Sequence, residues 1–211
     1  MSYQVDKADL SEILRKEADA ILNIPIGDEY QRAVDLLVEH INHRSGKLVV
    51  SGMGKAGQIG MNIATTFCST GTPAVFLHPA EAQHGDLGII QPEDVLMLIS
   101  NSGKTTEIIQ LVELAKALNP RLPLIVITGN NDSPLARLAD VTLFTGGHPE
   151  VCPFGLTPTT STTSMTVIGD LLVVSTMKAI NFTVKDYAMR HHGGYLGVVS
   201  HNASRNSTDV K

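Results

Sequence analysis

The sequence predicts an α/β fold, a three-layer α-β-α sandwich on a mostly parallel five-stranded sheet. Three features carry this. Short apolar segments alternate with helical patterns from residue 47 to residue 144, the order that a parallel sheet with crossover helices requires. The runs Leu48-Val49-Val50, Val95 to Ser100 and Pro123 to Thr128 are apolar without alternation, as strands covered on both faces are. Polar Gly-containing turns follow Val50 and Ile99, at the strand ends where open α/β sheets collect their ligands.

Leu10, Ile13, Leu14, Ala18, Ile21 and Leu22 recur at helical spacing, and Ala33, Leu36, Leu37 and Ile41 do so after Ile26-Gly27-Asp28. Two amphipathic helices within residues 1–45 therefore precede the sheet. Lys47 to Val50 is the first strand, and Gly54 to Phe67 the Gly-led helix after it. Thr72 to Leu77 is the second strand, followed by a His- and Gly-containing loop over 78–88. Asp94 to Ile99 is the third and delivers the turn Ser100-Asn101-Ser102-Gly103. A helix over Thr106 to Leu118 leads to the fourth strand, Pro123 to Ile127. Ser133-Pro134 suits the N-cap and first residue of a short helix ending near Ala139, and Val141 to Phe144 is the fifth strand. A Thr/Ser-rich loop then enters a long apolar helix over Ser161 to Ile180. The core domain spans residues 46–198, and the polar tail 199–211 is expected to be poorly ordered.

The chain has 211 residues, 43% of them hydrophobic, which suffices for one sizeable core. Trp is absent and aromatics make up 4%, so that core rests on aliphatic side chains. A net charge of −5 without a basic cluster argues against a nucleic-acid partner. A single phosphate needs no such excess, because backbone N–H groups and one cation can hold it. Cys68 and Cys152 lie in different segments without metal-ligand spacing, so no disulfide framework is expected and a reducing cytoplasm fits. The opening residues lack a signal-peptide pattern, and no run approaches the roughly 20 apolar residues of a membrane span. A cytoplasmic chain without membrane contact is the expectation.

Four motifs carry chemistry. Ser51-Gly52-Met53-Gly54-Lys55-Ala56-Gly57 joins a strand to a helix. Its glycines admit a ligand close to the backbone, and the helix start favours an anion. It lacks the Walker A pattern. It fits the string G-x-G-x-x-G, but the acid that a dinucleotide ribose needs is missing around Gly71-Thr72-Pro73. Ser100-Asn101-Ser102-Gly103-Lys104-Thr105 sets three hydroxyls around a Gly turn at another helix start, which suits phosphate oxygens. Thr157 to Thr163 is hydroxyl-rich and leads into the last long helix, where it can cap the helix and still offer hydroxyls to a ligand. The segment His78 to Asp86 holds two His and two acids in no strong metal-ligand spacing.

The order S-G-M-G-K, S-T-G-T-P, H-P-x-E-A-x-H-G-D-L-G, S-N-S-G-x-T-x-E, C-P-x-G-L-x-P-T-T-S-T-T and H-x-G-G-x-L-G, from residue 47 to residue 197, resembles the SIS family of phosphosugar-binding proteins. Within it, the arabinose-5-phosphate isomerases are the most similar group. The resemblance implies a flavodoxin-like sheet and interconversion of D-ribulose 5-phosphate and D-arabinose 5-phosphate through an enediolate, feeding synthesis of the eight-carbon sugar Kdo for lipopolysaccharide or capsule. No cofactor is implied. Lys55, Glu107, Glu150 and His191 fall on the family's catalytic positions, with His191 or Glu107 as base, Glu150 assisting and Lys55 stabilising the oxyanion or holding the substrate. Ser51, Gly52, Gly71, Thr72, His84, Ser100, Asn101, Ser102, Thr105, Thr159, Thr160, Ser161 and His192 are the substrate-binding candidates. His78 matches a position where zinc inhibits.

The chain departs from the family at His192, where Pro is usual, and at Lys104, where Glu is usual. Both changes fall where they can alter substrate preference. Many relatives carry two regulatory CBS domains after the SIS domain; the sequence ends at Lys211, and a stand-alone SIS form is expected. Feedback by CMP-Kdo at the active site, and a homo-oligomer (a dimer or tetramer, with His191 reaching a neighbour's site), are further expectations. An isomerase of another phosphosugar and a non-catalytic phosphosugar sensor are the alternatives.

Overall fold

In the computed structural model, which describes residues 4–206, five parallel strands lie in the order β2-β1-β3-β4-β5. They are β1 (Leu48–Gly52), β2 (Ala74–Phe76), β3 (Val95–Ile99), β4 (Leu124–Thr128) and β5 (Val141–Phe144). Leu48 pairs with Ala74 on one side and Val95 on the other, and Leu96 pairs with Leu124. The connections run outward in opposite directions from β1 and β3, so the crevice at the carboxyl ends of these two strands is the topological switch point. The fold class expected from the apolar runs is the one observed.

Side-chain alternation splits the strands between two cores. Leu48, Val50, Met97, Ile99, Ile125 and Ile127 face one core with helices α2 (Asp28–Leu37), α3 (Gly54–Ser69) and α7 (Thr160–Ala179). Val49, Leu96, Leu98, Leu124 and Val126 face the other, with α4 (Pro79–Ala82), α5 (Thr106–Leu118) and α6 (Pro134–Leu138). Each such aliphatic side chain contributes roughly 1.5–3 kcal/mol on full burial. Helix α1 (Lys7–Leu22) packs outside this sandwich against α7.

Three segments differ from expectation. The second helical pattern ends in a π-helical turn, Val38–His43, which still buries Ile41. The loop over 78–88 contains α4, opened by Pro79 at its first position, and a 3₁₀ turn at Asp86–Ile89. The expected disordered tail is corrected as far as residue 206. After α8 (Val184–Ala188), α9 (Gly194–Asn206) runs through residues 199–206, and it buries Ser200. Residues 207–211 lie outside the described residues. The polar composition of this segment concealed a helix that starts at Gly194, where φ is +65°.

At the amino edge of the sheet, Asp94 is 1% exposed. It accepts from the Lys47 amide at 2.9 Å, the Lys47 ammonium at 2.6 Å and the Gln91 amide at 2.8 Å, tying the start of β1 to the approach to β3. Asp94→Ala leaves buried donors without an acceptor, so urea unfolding is expected to show a loss of about 3 kcal/mol. Asp94→Asn keeps one acceptor oxygen and is expected to lose less.

Candidate active site

β1 runs through Gly52 into α3, and the two elements approach closely there. A Cβ on Gly57 would stand 2.6 Å from the Gly52 carbonyl oxygen. Met53, the N-cap of α3, supplies no side-chain cap. Thr105, the N-cap of α5, supplies none either, because its hydroxyl is paired with Ser100 Oγ at 2.8 Å. Both helices therefore begin with backbone N–H groups that no capping side chain takes. Between them the turn is held by Gly103, at φ +62°, whose amide donates to the Ser100 carbonyl and to Ser100 Oγ, each at 3.2 Å.

The two helix starts border one cavity of about 310 Å³, with Lys55, Ser100, Asn101, Ser102, Thr105 and Ser161 on its wall, together with Met53, Pro158, Thr162 and Met165. Its size suits a small metabolite. Lys55 is exposed and makes no ion pair among the described residues. Hydroxyls, one ammonium group and two helix N-termini are groups that can hold a phosphate. Ser51 and Gly52 end β1 at this crevice; Ser51 is fully buried, and its Oγ has no partner among the described residues.

The start of α7 forms another part of the wall, and its donors are engaged within the chain. Glu150 Oε2 accepts from the Thr159 amide at 2.7 Å, the Thr159 hydroxyl at 3.0 Å and the Ser161 amide at 3.2 Å. Burial pushes the Glu150 carboxyl up, but the hydrogen bonds from Ser161 and Thr159 outweigh it and hold the group below its ordinary value. The Thr160 hydroxyl donates to Glu17 Oε1 of α1 at 3.0 Å. Of the residues expected as substrate contacts here, Thr159 and Thr160 are bound to carboxylates, and Ser161 reaches the cavity together with Thr162. Glu150 lies on a neighbouring cavity of about 520 Å³ with Lys16, His148 and Cys152. There the Thr157 amide above all, with that of Leu156, holds the Cys152 thiol down to about 7.

The remaining candidates are dispersed within one chain. Glu107 is half-buried in the first turn of α5 and is not among the residues lining the cavity. His78 and His84 are exposed on the loop that leaves the edge strand β2. No group of three metal-ligating side chains occurs among the described residues, around His78 or elsewhere. Gly71 and Thr72 precede β2, at the amino end of the sheet, opposite the cavity. The C-terminal helices lie at that same end: a Cβ on Gly71 would stand 2.7 Å from the Phe182 ring, and Arg190 stacks over that ring at 5.4 Å. His191 follows there, stacked on Tyr187 at 3.7 Å with Nδ1 3.0 Å from the Tyr187 carbonyl oxygen. His192 is exposed and tilted against His201 at 5.8 Å. α7 has 20 residues and is about 30 Å long, so His191 and His192 do not reach the cavity of their own chain.

Residues beyond those expected also meet the site. Thr162 belongs to the hydroxyl run already noted, one residue past Ser161. Glu17 and Lys16 gave no local signal, because their contacts to residues near 150–160 exist only in the tertiary fold.

The model of the SIS domain matches residues 41–175. The arabinose 5-phosphate isomerase KdsD of Shigella flexneri is 47% identical over 187 residues, covering 88% of this chain and 56% of that protein. The chain thus spans about half the length of the curated relatives it matches. A Bacteroides fragilis crystal structure, described as a phosphosugar isomerase involved in capsule formation, is 66% identical with a TM-score of 0.88, covering 89% of this chain and 98% of that one. An Escherichia coli protein solved in complex with arabinose 5-phosphate is 33% identical with a TM-score of 0.79, covering 89% of this chain and 100% of that one. No helix among the described residues is long and apolar enough to cross a membrane. The strand order, the hydroxyl loop at the switch point and a domain match over more than half of its length put one conclusion beyond the resemblance: the chain belongs to the SIS domain family.

Proposed function

We propose that the chain is an aldose–ketose isomerase that interconverts D-ribulose 5-phosphate and D-arabinose 5-phosphate. The observation that carries this reading is the cavity where two helix starts without side-chain caps, the Ser100–Thr105 hydroxyls and Lys55 meet, beside an ionised carboxylate at α7. The identity to arabinose 5-phosphate isomerases supports it. Two carboxylates, Glu17 and Glu150, bind the start of α7 and repel a phosphate from it. The phosphate therefore belongs over the loop after β3, and the carbonyl end of the sugar faces α7.

Isomerisation removes a proton beside the carbonyl, forms an enediolate and returns a proton to the neighbouring carbon. Lys55 stabilises the developing oxyanion. Glu150, held below the ordinary carboxylate value by the hydrogen bonds from Ser161 and Thr159, suits the assisting role. The base is His191 or Glu107. The hydrogen bond between Nδ1 of His191 and the Tyr187 carbonyl keeps Nε2 as the free acceptor of a neutral imidazole, which favours His191. Its distance from the cavity supports the reading in which a second copy of the chain supplies it. Val184, Met189, Leu196, Val198 and Val199 expose apolar surface around His191, which supports a homo-oligomer through this face. The reading assigns no step to a metal or cofactor.

The capsule association of the Bacteroides fragilis relative supports a role in supplying Kdo for capsule or lipopolysaccharide in the cytoplasm, with CMP-Kdo as a feedback ligand of the same cavity. Incubation with ribulose 5-phosphate tests the central reading: arabinose 5-phosphate is expected, and fructose 6-phosphate is expected to turn over far more slowly. Absence of arabinose 5-phosphate, or preference for the hexose, overturns it.

A further inference from the structure

We infer that Glu17 of α1 is a positioning residue for the reaction: its carboxylate holds the Thr160 hydroxyl and so sets the first turn of α7 against the cavity. This rests on the isomerase reading. Thr160 is 2% exposed, and its hydroxyl donates to Glu17 Oε1 at 3.0 Å. Its two neighbours, Thr159 and Ser161, give their amides to Glu150, and Ser161 and Thr162 form part of the cavity wall. Three consecutive residues are thus gripped by two carboxylates, one from outside the sandwich and one from the loop after β5.

Packing alone does not call for a carboxylate at residue 17. Helix α1 already buries Ala20, and Ile24 just beyond it. Its charged pairs Lys16–Glu12 and Arg15–Asp19 are more than half exposed. Glu17 differs from these: its Oε2 is buried with no hydrogen-bond partner among the described residues, an unfavourable state for an acidic group. Its charge lies at the N-terminus of a 20-residue helix, where the helix dipole favours an anion. A neutral side chain would pack there at lower cost, but only an acceptor holds Thr160.

The test compares Glu17→Ala, Glu17→Gln and Thr160→Val in the full chain, reading kcat and KM for ribulose 5-phosphate, the melting midpoint and hydrogen exchange of the peptide that starts α7. Glu17→Ala is expected to lower kcat about tenfold with KM within about twofold, because the phosphate loop is untouched and only the alignment of the wall shifts. Exchange at the start of α7 rises in the same variant. Glu17→Gln keeps an acceptor and is expected to retain kcat to within about threefold, and the double variant Glu17→Ala/Thr160→Val is expected to be no worse than either single one. Unchanged kcat in Glu17→Ala, equal damage in Glu17→Gln, or additive losses in the double variant overturns the inference. A purely structural role would lower the melting midpoint and move KM together with kcat. An inactive wild-type protein would sink the isomerase reading, whereas an active one with unchanged exchange in Glu17→Ala would sink the role of Glu17 alone.

Discussion

Replacing His191 with Asn is expected to lower turnover about 10²- to 10⁴-fold, the range lost with a positioned acid–base group, and the loss is expected to be repaired by a second, differently damaged chain. The reason is geometric. His191 lies at the amino end of the sheet, beside the turn that holds Gly71, and the cavity lies at the carboxyl end. With the proposed homo-oligomer, co-expression of His191→Asn chains with Lys55→Ala chains is expected to give mixed oligomers. In these, one site holds a native Lys55 and receives a native imidazole, so activity returns above that of either variant alone. Mixed oligomers as inactive as their parents would mean that the imidazole serves no neighbouring site.

Gly103→Ala is the second large effect, and it acts through binding. Gly103 is buried at φ +62°, a conformation that L side chains rarely adopt. A Cβ there would overlap the side chain of Ser133, which caps α6 by accepting from the Ala136 amide at 3.2 Å. The substitution both strains the turn and displaces the cap, at a cost of about 2–4 kcal/mol. The same turn orients Ser100, Ser102 and Thr105, so KM for the phosphosugar is expected to rise more than tenfold. Ser133→Gly removes the obstructing side chain, and in that background Gly103→Ala is expected to lose less. Equilibrium unfolding and steady-state kinetics on the two variants separate strain from collision.

The sheet was legible because strands buried on both faces need unbroken apolar runs. Val95–Ile99 and Leu124–Thr128 leave no charged position inside them, and both strands are fully buried. The hydroxyl loop after β3 was legible because its hydroxyls and Gly103 are contiguous in the chain. The start of α7 was only half legible: a run of Thr and Ser announces donors but not their acceptors. The acceptors proved to be Glu150, nine residues before Thr159, and Glu17, 143 residues before Thr160. No local pattern encodes the second pairing. His191 shows the converse case, since its resemblance marks it as catalytic while a single chain holds it at the wrong end of the sheet. The proposed homo-oligomer is the reading that resolves that conflict, and neither apolar periodicity nor composition specifies a number of copies. Residues 199–206 misled through polarity, because a surface helix with a narrow buried edge at Ser200 needs few apolar side chains.

Proton transfer at carbon 2 of a five-carbon phosphosugar is the step on which the isomerase reading depends. Proton NMR of the wild-type protein with D-ribulose 5-phosphate in D₂O reads it directly. Arabinose 5-phosphate carrying deuterium at carbon 2 is the predicted result, because an enediolate exchanges its proton with a base open to solvent. No arabinose 5-phosphate, or product that keeps protium at carbon 2 through repeated interconversion, would contradict it.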